Sequence, residues 1–143
     1  MYKIVAFEGL PASGKSTIIN ELRKAMSGKG QPLFIDRFMY SAMIYDLFDG
    51  RDRLEEMREF YDYFKYWGVY VIYLDVSPET SMKRMKERGP KWKKYDIDQL
   101  KKMQTLYTFY QNKFPMKIMQ IVNAEHLIDV VVKECLSIIE GES

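Results

Sequence analysis

Apolar residues along the chain alternate between short strand-like runs and longer stretches with helical spacing. The short runs predict four strands, at residues 2–8, 33–36, 69–75 and 118–122. The third run reads VYVIYLD and is apolar at both odd and even positions. This is typical of a strand that is buried on both faces of a parallel sheet.

The longer stretches place apolar residues three or four positions apart and predict six helices. They lie at residues 16–26, 41–48, 52–67, 78–88, 97–114 and 126–140. Ser77 and Asp96 stand where N-caps are expected, and Pro115 ends the fifth helix. Because strands alternate with helices, the pattern favours a layered α/β fold with a parallel sheet.

Composition narrows the class of protein. The chain has 143 residues, 47% hydrophobic and 29% charged, which suits one soluble domain over residues 1–143. The net charge of +2 gives no reason to expect nucleic acid or an anionic membrane as a partner. No apolar run approaches the ~20 residues of a membrane helix. The single cysteine cannot form an internal disulfide, so we expect a reducing, cytoplasmic location.

A phosphate-binding motif lies between the first predicted strand and the first predicted helix. Residues 9–16 read GLPASGKS and match the pattern G-x-x-x-x-G-K-[ST]. Glycines at these positions let backbone N–H groups and the helix N-terminus point at phosphate oxygens. Lys15 is expected to reach the β- and γ-phosphates, and the Ser16 hydroxyl to bind Mg²⁺. The motif therefore predicts ATP and Mg²⁺ as cofactors.

This phosphate loop alone leaves GTPases, ATPases, kinases and nucleotide sensors open. A GTPase needs an Asn-Lys-x-Asp motif, but the only Asn-Lys pair, at residues 112–113, is followed by Phe-Pro. The larger ATPases need additional layers for which the chain has no room. Kinases and nucleotide-binding regulators remain.

An Asp-Arg pair follows the second predicted strand, in the run LFIDRFMYS at residues 33–41. The carboxyl edge of a parallel sheet is where such folds bind nucleotides. Asp36 could hold Mg²⁺ through water or orient an attacking oxygen, and Arg37 could bind phosphate charge through its planar guanidinium. The alternative is an ion pair at the end of a strand.

Taken in order, these motifs resemble the thymidylate kinase family of nucleoside monophosphate kinases, and the resemblance covers most of the chain. The phosphate loop with its flanks and the Asp-Arg-Phe motif with Tyr40-Ser41 are its most specific parts. Weaker parts are Tyr45-Asp46, the run VIYLDVSPE at 71–79, Arg84, Arg88-Gly89, and Val122-Asn123-Ala124. The resemblance implies a three-layer P-loop kinase fold, with four parallel strands in the order 2-1-3-4 and helices on both faces.

The resemblance also implies an activity, transfer of the γ-phosphoryl group of ATP to dTMP, and a lid over approximately residues 88–95. The implied catalytic residues are Lys15, Asp36, Arg37 and Arg88, with Ser16 and Asp36 as metal ligands. The implied ATP-binding residues are Gly9, Pro11, Ala12, Ser13, Gly14, Lys15, Ser16, Thr17, Arg84, Asn123 and Ala124. The implied acceptor-binding residues are Arg37, Phe38, Ser41 and Tyr45. Partners would be small-molecule nucleotides and a second copy, in a homodimer formed through helices beside the Asp-Arg strand.

The chain departs from the family pattern on the acceptor side. Pro11 replaces an acidic residue of the family's phosphate loop, and the lid carries lysines where arginines are common. Only about seven loop residues connect the first helix to the Asp-Arg strand, where the family inserts a strand and helices that read the acceptor. The aromatic residues at 60–67 form either a replacement acceptor wall or a buried helix face. The alternatives are therefore a related deoxynucleoside or other small-molecule P-loop kinase, and a nucleotide-binding regulator that does not transfer phosphate efficiently.

Basic residues are concentrated between positions 83 and 94. They fit either a lid over a nucleotide or a surface that binds nucleic acid. Arg84 and Arg88 are four positions apart and share one helix face, which favours the lid.

Overall fold

The structure, a computed structural model, describes residues 4–92 and 94–141. Within them, four strands form one parallel sheet: β1 (Ile4–Gly9), β2 (Leu33–Asp36), β3 (Val69–Asp75) and β4 (Met119–Asn123). The helices are α1 (Lys15–Ala25), α2 (Met39–Phe48), α3 (Leu54–Phe64), α4 (Pro78–Arg88), α5 (Ile97–Lys113) and α6 (Ile128–Gly141), with a 3₁₀ turn at Pro90–Trp92. The strand order β2-β1-β3-β4 confirms the predicted fold class.

The two central strands carry the core of the sheet. Residues 5–9 of β1 and residues 69–74 of β3 are all buried, as expected for strands covered on both faces. In the parallel register, Phe7 pairs with both Asp36 and Ile72. The carboxyl ends of β1, β2 and β3 therefore meet at one edge, which brings the phosphate loop and Asp36 together.

Two groups of helices cover the sheet. One group consists of α1 and α6, which pack against each other. The other group consists of α2, α4 and α5, in which α5 packs against both α2 and α4. The predicted N-caps are present: the Ser77 hydroxyl accepts the Thr80 N–H, and Asp96 forms a capping box with Gln99. None of the helices within the described residues combines the length and the apolar character needed to cross a bilayer.

Helix α3 is shorter than the predicted 52–67. It ends at Phe64, after which the Trp67 N–H donates to the Phe64 carbonyl oxygen at 3.0 Å in a tight turn before Gly68. Met57 is the buried residue of this helix, whereas Tyr63 and Trp67 are exposed. The aromatic run at 60–67 is therefore a partly exposed cluster rather than a buried helix face.

Candidate active site

The phosphate loop makes a sharp turn between β1 and α1. Gly9 and Gly14 have φ values of 156° and 100°, which favour glycine. A Cβ at Gly9 would lie 2.7 Å from the Leu74 carbonyl oxygen, so a side chain has no room there. Gly14 also leaves the N-terminus of α1 without a side-chain cap, and the first turn of α1 has no acidic residue. The positive end of the helix is thus available to an anion.

Three carbonyl oxygens of the loop accept hydrogen bonds from helix α4. Ser81 of α4 donates to the Pro11 carbonyl, and the Arg84 guanidinium donates to the Ala12 and Ser13 carbonyls at 3.4 Å each. A peptide whose carbonyl points toward the protein directs its N–H the other way. These contacts therefore favour a concavity lined by backbone N–H groups, as phosphate binding requires.

Lys15 lies folded over this loop. Its ammonium donates to the carbonyl oxygens of Gly9 and Leu10 and to the Ser13 hydroxyl, each at 3.2 Å. Burial lowers the pKa of Lys15 to about 8, and the positive charge of Arg37 contributes in the same direction. Phosphate oxygens would be stronger acceptors than these neutral groups, so the lysine is suited to bind them.

A possible magnesium site lies where α1 meets β2. The Ser16 hydroxyl donates to an Asp36 carboxylate oxygen at 2.8 Å. Hydroxyl and carboxylate oxygens are ligands that Mg²⁺ prefers, and it usually takes its other ligands from water and phosphates. Over residues 4–92 and 94–141, no group of three or more His, Cys, Asp or Glu side chains is placed to hold a metal. The Ser16–Asp36 pair fits Mg²⁺ shared with a nucleotide.

Arg37 has an unusual backbone conformation. Its φ of 73° lies in the left-handed region, which is uncommon for a residue with a side chain. Its N–H donates to the Phe7 carbonyl oxygen at 2.9 Å, and its guanidinium carbon lies 4.6 Å from the centre of the Tyr45 ring. Burial raises the pKa of Tyr45 to about 12, against the opposing effect of Arg37, so this ring carries a neutral hydroxyl.

Two cavities flank the phosphate loop. The larger, about 420 Å³, includes the predicted ATP-binding residues Ala12, Ser13, Gly14, Thr17, Arg84 and Ala124 in its lining. The smaller, about 140 Å³, is lined by Pro11, Ala12, Arg37, Tyr45, Met85, Arg88, Lys94 and Tyr95. Arg88 lines both cavities, so it stands between them.

The end of the predicted lid contacts Tyr45, one of the predicted acceptor-binding residues. The Tyr95 ring lies 6.1 Å from the Tyr45 ring and 5.9 Å from the Phe48 ring, both on α2. Lys93, which the predicted lid includes, lies outside the described residues. The contacts of Tyr95 place the end of the lid segment beside Arg37 and Tyr45.

Seven predicted site residues are absent from the lining of both cavities. Four of them belong to the phosphate loop and the Ser16–Asp36 pair described above: Gly9, Lys15, Ser16 and Asp36. The other three, Phe38, Ser41 and Asn123, have contacts elsewhere. Phe38 packs against the Phe60 and Phe64 rings at 5.8 and 5.9 Å. Ser41 is buried and bonded to Glu8. Asn123 accepts the Glu125 N–H at 2.9 Å through its side-chain oxygen and so forms the turn after β4.

Several residues near the site have no predicted role. His126, Leu127 and Ile128 line the larger cavity, and Glu8 and Tyr107 lie behind the phosphate loop. Glu8 has a sequence signal, since it is a charged residue inside an apolar strand. Tyr107 has none, because its apolar ring follows the helical spacing of its neighbours.

Comparison with known proteins places these features in context. Residues 28–135 match the family model described as thymidylate kinase. The match begins after the phosphate loop, so the geometry of the loop is separate evidence. None of the curated proteins searched matches the sequence.

Solved structures share the fold. The YorR protein from Bacillus subtilis, in complex with phosphorylated GDP, has a TM-score of 0.76 and 21% identity, and the alignment covers 97% of this chain and 96% of that one. Deoxyadenosine kinase from M. mycoides with bound dCTP has a TM-score of 0.70 and 14% identity, with 96% and 99% covered. The same kinase with its product dCMP and a flexible dCDP has a TM-score of 0.67 and 16% identity, with 98% and 100% covered.

Proposed function

Because the chain belongs to the thymidylate kinase family and is a P-loop nucleotide kinase, we propose that it transfers the γ-phosphoryl group of ATP to dTMP. An oxygen of the dTMP phosphate would form the new bond to the γ-phosphorus of ATP. The bond between the γ-phosphorus and the oxygen that bridges it to the β-phosphorus would break, and ADP would leave. The observation that carries the proposal is a phosphate loop between two cavities, with Arg88 in the lining of both.

On the donor side, the larger cavity would hold the nucleoside part of ATP. Arg84 spans it, since its guanidinium bonds the Ala12 and Ser13 carbonyls on one side and the Ala124 carbonyl, at 2.9 Å, on the other. This bridge holds the phosphate loop and the turn after β4 at a fixed separation. The ATP phosphates would then meet the loop N–H groups and Lys15.

Ser16 and Asp36 would hold Mg²⁺, which supplies charge neutralisation for the phosphates when it is bound. Arg37 and Arg88 would contribute further positive charge at the transferring group. Phosphoryl transfer depends mainly on such positioning and charge, so no covalent protein intermediate is required.

On the acceptor side, the smaller cavity would receive the phosphate that is to be phosphorylated. Arg37, Arg88 and Lys94 supply positive charge there, and Tyr45 and Tyr95 supply aromatic surface. Its volume of about 140 Å³ lies below the ~300–1,000 Å³ of ordinary small-molecule sites. We therefore infer that the lid at 88–95 moves outward to admit the acceptor and then closes against water.

A second candidate is a deoxynucleoside kinase, which would phosphorylate a 5′-hydroxyl instead of a phosphate. Pro11, which lines the acceptor cavity, offers no carboxylate to an acceptor sugar. The short connection between α1 and β2 also leaves out the family's base-reading segment. Two of the compared structures are of a deoxyadenosine kinase, and this likeness gives the alternative its support.

Acceptor-dependent turnover tests the proposal. Purified protein with ATP and Mg²⁺ would be offered dTMP, other deoxynucleoside monophosphates and the deoxynucleosides, with ADP release coupled to a colour reaction. We expect the highest kcat/KM with dTMP. Preference for a nucleoside would establish the second candidate. ATP binding with no acceptor-dependent turnover would establish a nucleotide-binding regulator.

A further inference from the structure

A row of buried polar groups connects three elements behind the phosphate loop. The Glu8 carboxyl of β1 contacts the Ser41 hydroxyl of α2, which lies 2.8 Å from the Tyr107 hydroxyl of α5. The Tyr107 hydroxyl in turn donates to the Gly9 carbonyl oxygen at 3.0 Å. Glu8 also accepts the Ser41 backbone N–H at 3.0 Å. All three side chains are buried, and none of them lines the two cavities.

The number of protons in this row determines the charge of Glu8. A carbonyl oxygen only accepts, so the Tyr107 proton must point at Gly9. The Ser41 proton must then point at Tyr107, because that contact has no other donor. The remaining contact, between Glu8 and Ser41, needs a proton on the Glu8 carboxyl. With Glu8 neutral, all three contacts are hydrogen bonds, and with Glu8 ionised one of them is a buried contact between two acceptors.

We propose that Glu8, Ser41 and Tyr107 form a positioning chain, with the proton resident on Glu8, that fixes the first peptide of the phosphate loop for phosphoryl transfer. The proposal rests on the function proposed above, in which this loop binds the donor phosphates. Burial also raises the pKa of Glu8, although the hydrogen bonds from Ser41, the Phe38 backbone and the nearby charge of Lys15 oppose the shift.

The Gly9 carbonyl explains why such a chain would affect catalysis. This oxygen accepts from both Tyr107 and Lys15. When Lys15 turns toward a phosphate, Tyr107 remains as the donor that keeps the peptide oriented. No side chain at position 9 can take over this role, since a Cβ there would collide with β3. The positioning chain of Glu8, Ser41 and Tyr107 thus links the geometry of the phosphate loop to α2, the helix on the proposed acceptor side.

The experiment compares two hydroxyl deletions on one helix. Tyr107→Phe removes a chain member, and Tyr110→Phe removes the hydroxyl of another largely buried tyrosine three positions later, outside the chain. We expect Tyr107→Phe to lower kcat/KM for ATP by roughly fivefold to thirtyfold, the effect of one buried hydrogen bond with a partner left unsatisfied. We expect Tyr110→Phe to stay within about twofold. Melting temperatures of both variants are measured alongside.

The protonation of Glu8 is tested by Glu8→Gln against Glu8→Ala. A carboxamide donates to the Ser41 hydroxyl and accepts the Ser41 N–H, so it reproduces the neutral carboxyl. Glu8→Gln should therefore retain far more activity than Glu8→Ala, and if the alanine variant does not fold, Glu8→Gln is compared with wild type. Infrared spectra should show the carbonyl stretch of a protonated carboxyl in wild type and its loss in Glu8→Gln.

Two results would overturn the proposal. Equal kinetics for Tyr107→Phe and Tyr110→Phe would mean that the chain positions nothing, even if the melting temperature falls. A strong activity loss in Glu8→Gln, without the infrared band in wild type, would mean that Glu8 is ionised. Absence of turnover in wild type with every acceptor is a different result, because it contradicts the proposed function while the infrared test of the chain still applies.

Discussion

At the residue scale, the ammonium group of Lys15 is hydrogen-bonded to the phosphate loop in the absence of a nucleotide. Three neutral oxygens accept from its ammonium, and burial lowers its pKa. Exchange of these neutral oxygens for negatively charged phosphate oxygens would raise the pKa of Lys15 again and strengthen its hydrogen bonds. Lys15 should therefore stabilise the states in which a nucleotide is bound, including the transition state, more than the free protein.

We predict that Lys15→Ala lowers kcat/KM by at least about a hundredfold, as loss of one charged donor at a transition state does. Lys24→Ala is the matched control, because Lys24 lies on the same helix and is exposed, in a surface pair with Glu21. Steady-state kinetics with the best acceptor measures both variants. Wild-type activity in Lys15→Ala would refute the phosphate-loop mechanism.

Cys135 should be unreactive in the folded protein. It is fully buried on α6, and burial raises the pKa of its thiol to about 12. At pH 8 the thiolate fraction is then about a thousandfold below that of an ordinary thiol with a pKa of 9.0. Reaction with a chromogenic disulfide reagent should be slow in buffer and fast in denaturant. A fast reaction of the native protein would contradict the burial of this helix face.

The residues of the phosphate loop could be predicted from sequence because they are contiguous. The partners of Glu8 could not, since Ser41 lies 33 positions away and Tyr107 lies 98 positions from Gly9. Only the folded sheet and helices bring these groups together. The family resemblance predicts acceptor binding for Ser41, and its bond to Glu8 becomes visible only in the folded structure.

At the scale of elements, local signals predicted most boundaries. Ser77 and Asp96 cap α4 and α5 as their residue types indicate, and the apolar runs predicted the sheet strands. The end of α3 could not be read in this way. The aromatic spacing continues to Trp67, but the chain must turn before Gly68 to enter β3, and the turn ends the helix.

Glu125 joins two of these elements and gives a pH-dependent prediction. It accepts the Ser77 N–H and the Thr80 hydroxyl at 2.7 Å each, and so binds the start of α4 to the turn after β4. Desolvation acts to raise the pKa of Glu125, but these hydrogen bonds and Arg84 together lower it below 4.5. The stabilisation is therefore present above pH 4.5 and is lost as the pH falls through the folded-state pKa.

We predict that Glu125→Gln lowers the melting temperature at pH 7 and that the difference from wild type shrinks below pH 4.5. Glu134→Gln, at an exposed position on α6, is the control and should change little. Thermal unfolding followed by circular dichroism across pH 3 to 8 measures both. A difference that stays constant with pH would show that ionisation of Glu125 is not what holds the turn.

At the scale of the whole molecule, large apolar side chains are exposed on the outer strand β2 and near the end of α3. Leu33 of this strand is 61% exposed, and Tyr63 and Trp67 are exposed at and just after the end of α3. Phe38, which follows β2, packs against the Phe60 and Phe64 rings of α3. Exposed apolar side chains of this kind are often found at interfaces, and the family resemblance predicts a homodimer through the helices beside β2.

We predict that the protein sediments as a dimer and that the double variant Tyr63→Lys, Trp67→Lys sediments as a monomer. Ile121→Lys is the control, because Ile121 is 55% exposed on β4 at the opposite edge of the sheet. Analytical ultracentrifugation over a range of concentrations measures all three proteins. A monomeric wild type, or an equal effect of Ile121→Lys, would contradict this interface.

The identity of the acceptor substrate is the part of the function that the sequence predicts least well. The proposed donor contacts lie in contiguous motifs, but the proposed acceptor cavity is lined by residues from the phosphate loop, Arg37, α2, α4 and the segment after α4. Its shape depends on how these parts pack and move. The missing segment between α1 and β2 removes the residues from which a base preference is ordinarily read.

The left-handed backbone at Arg37 bears on how this enzyme would respond to laboratory evolution. An arginine held at φ 73° costs folding free energy that glycine would not. A library selected for thermostability alone should therefore enrich Arg37→Gly, and with it variants that have lost the guanidinium proposed to act on the phosphoryl group. Selection for stability would then favour glycine at position 37, whereas selection for turnover would favour arginine.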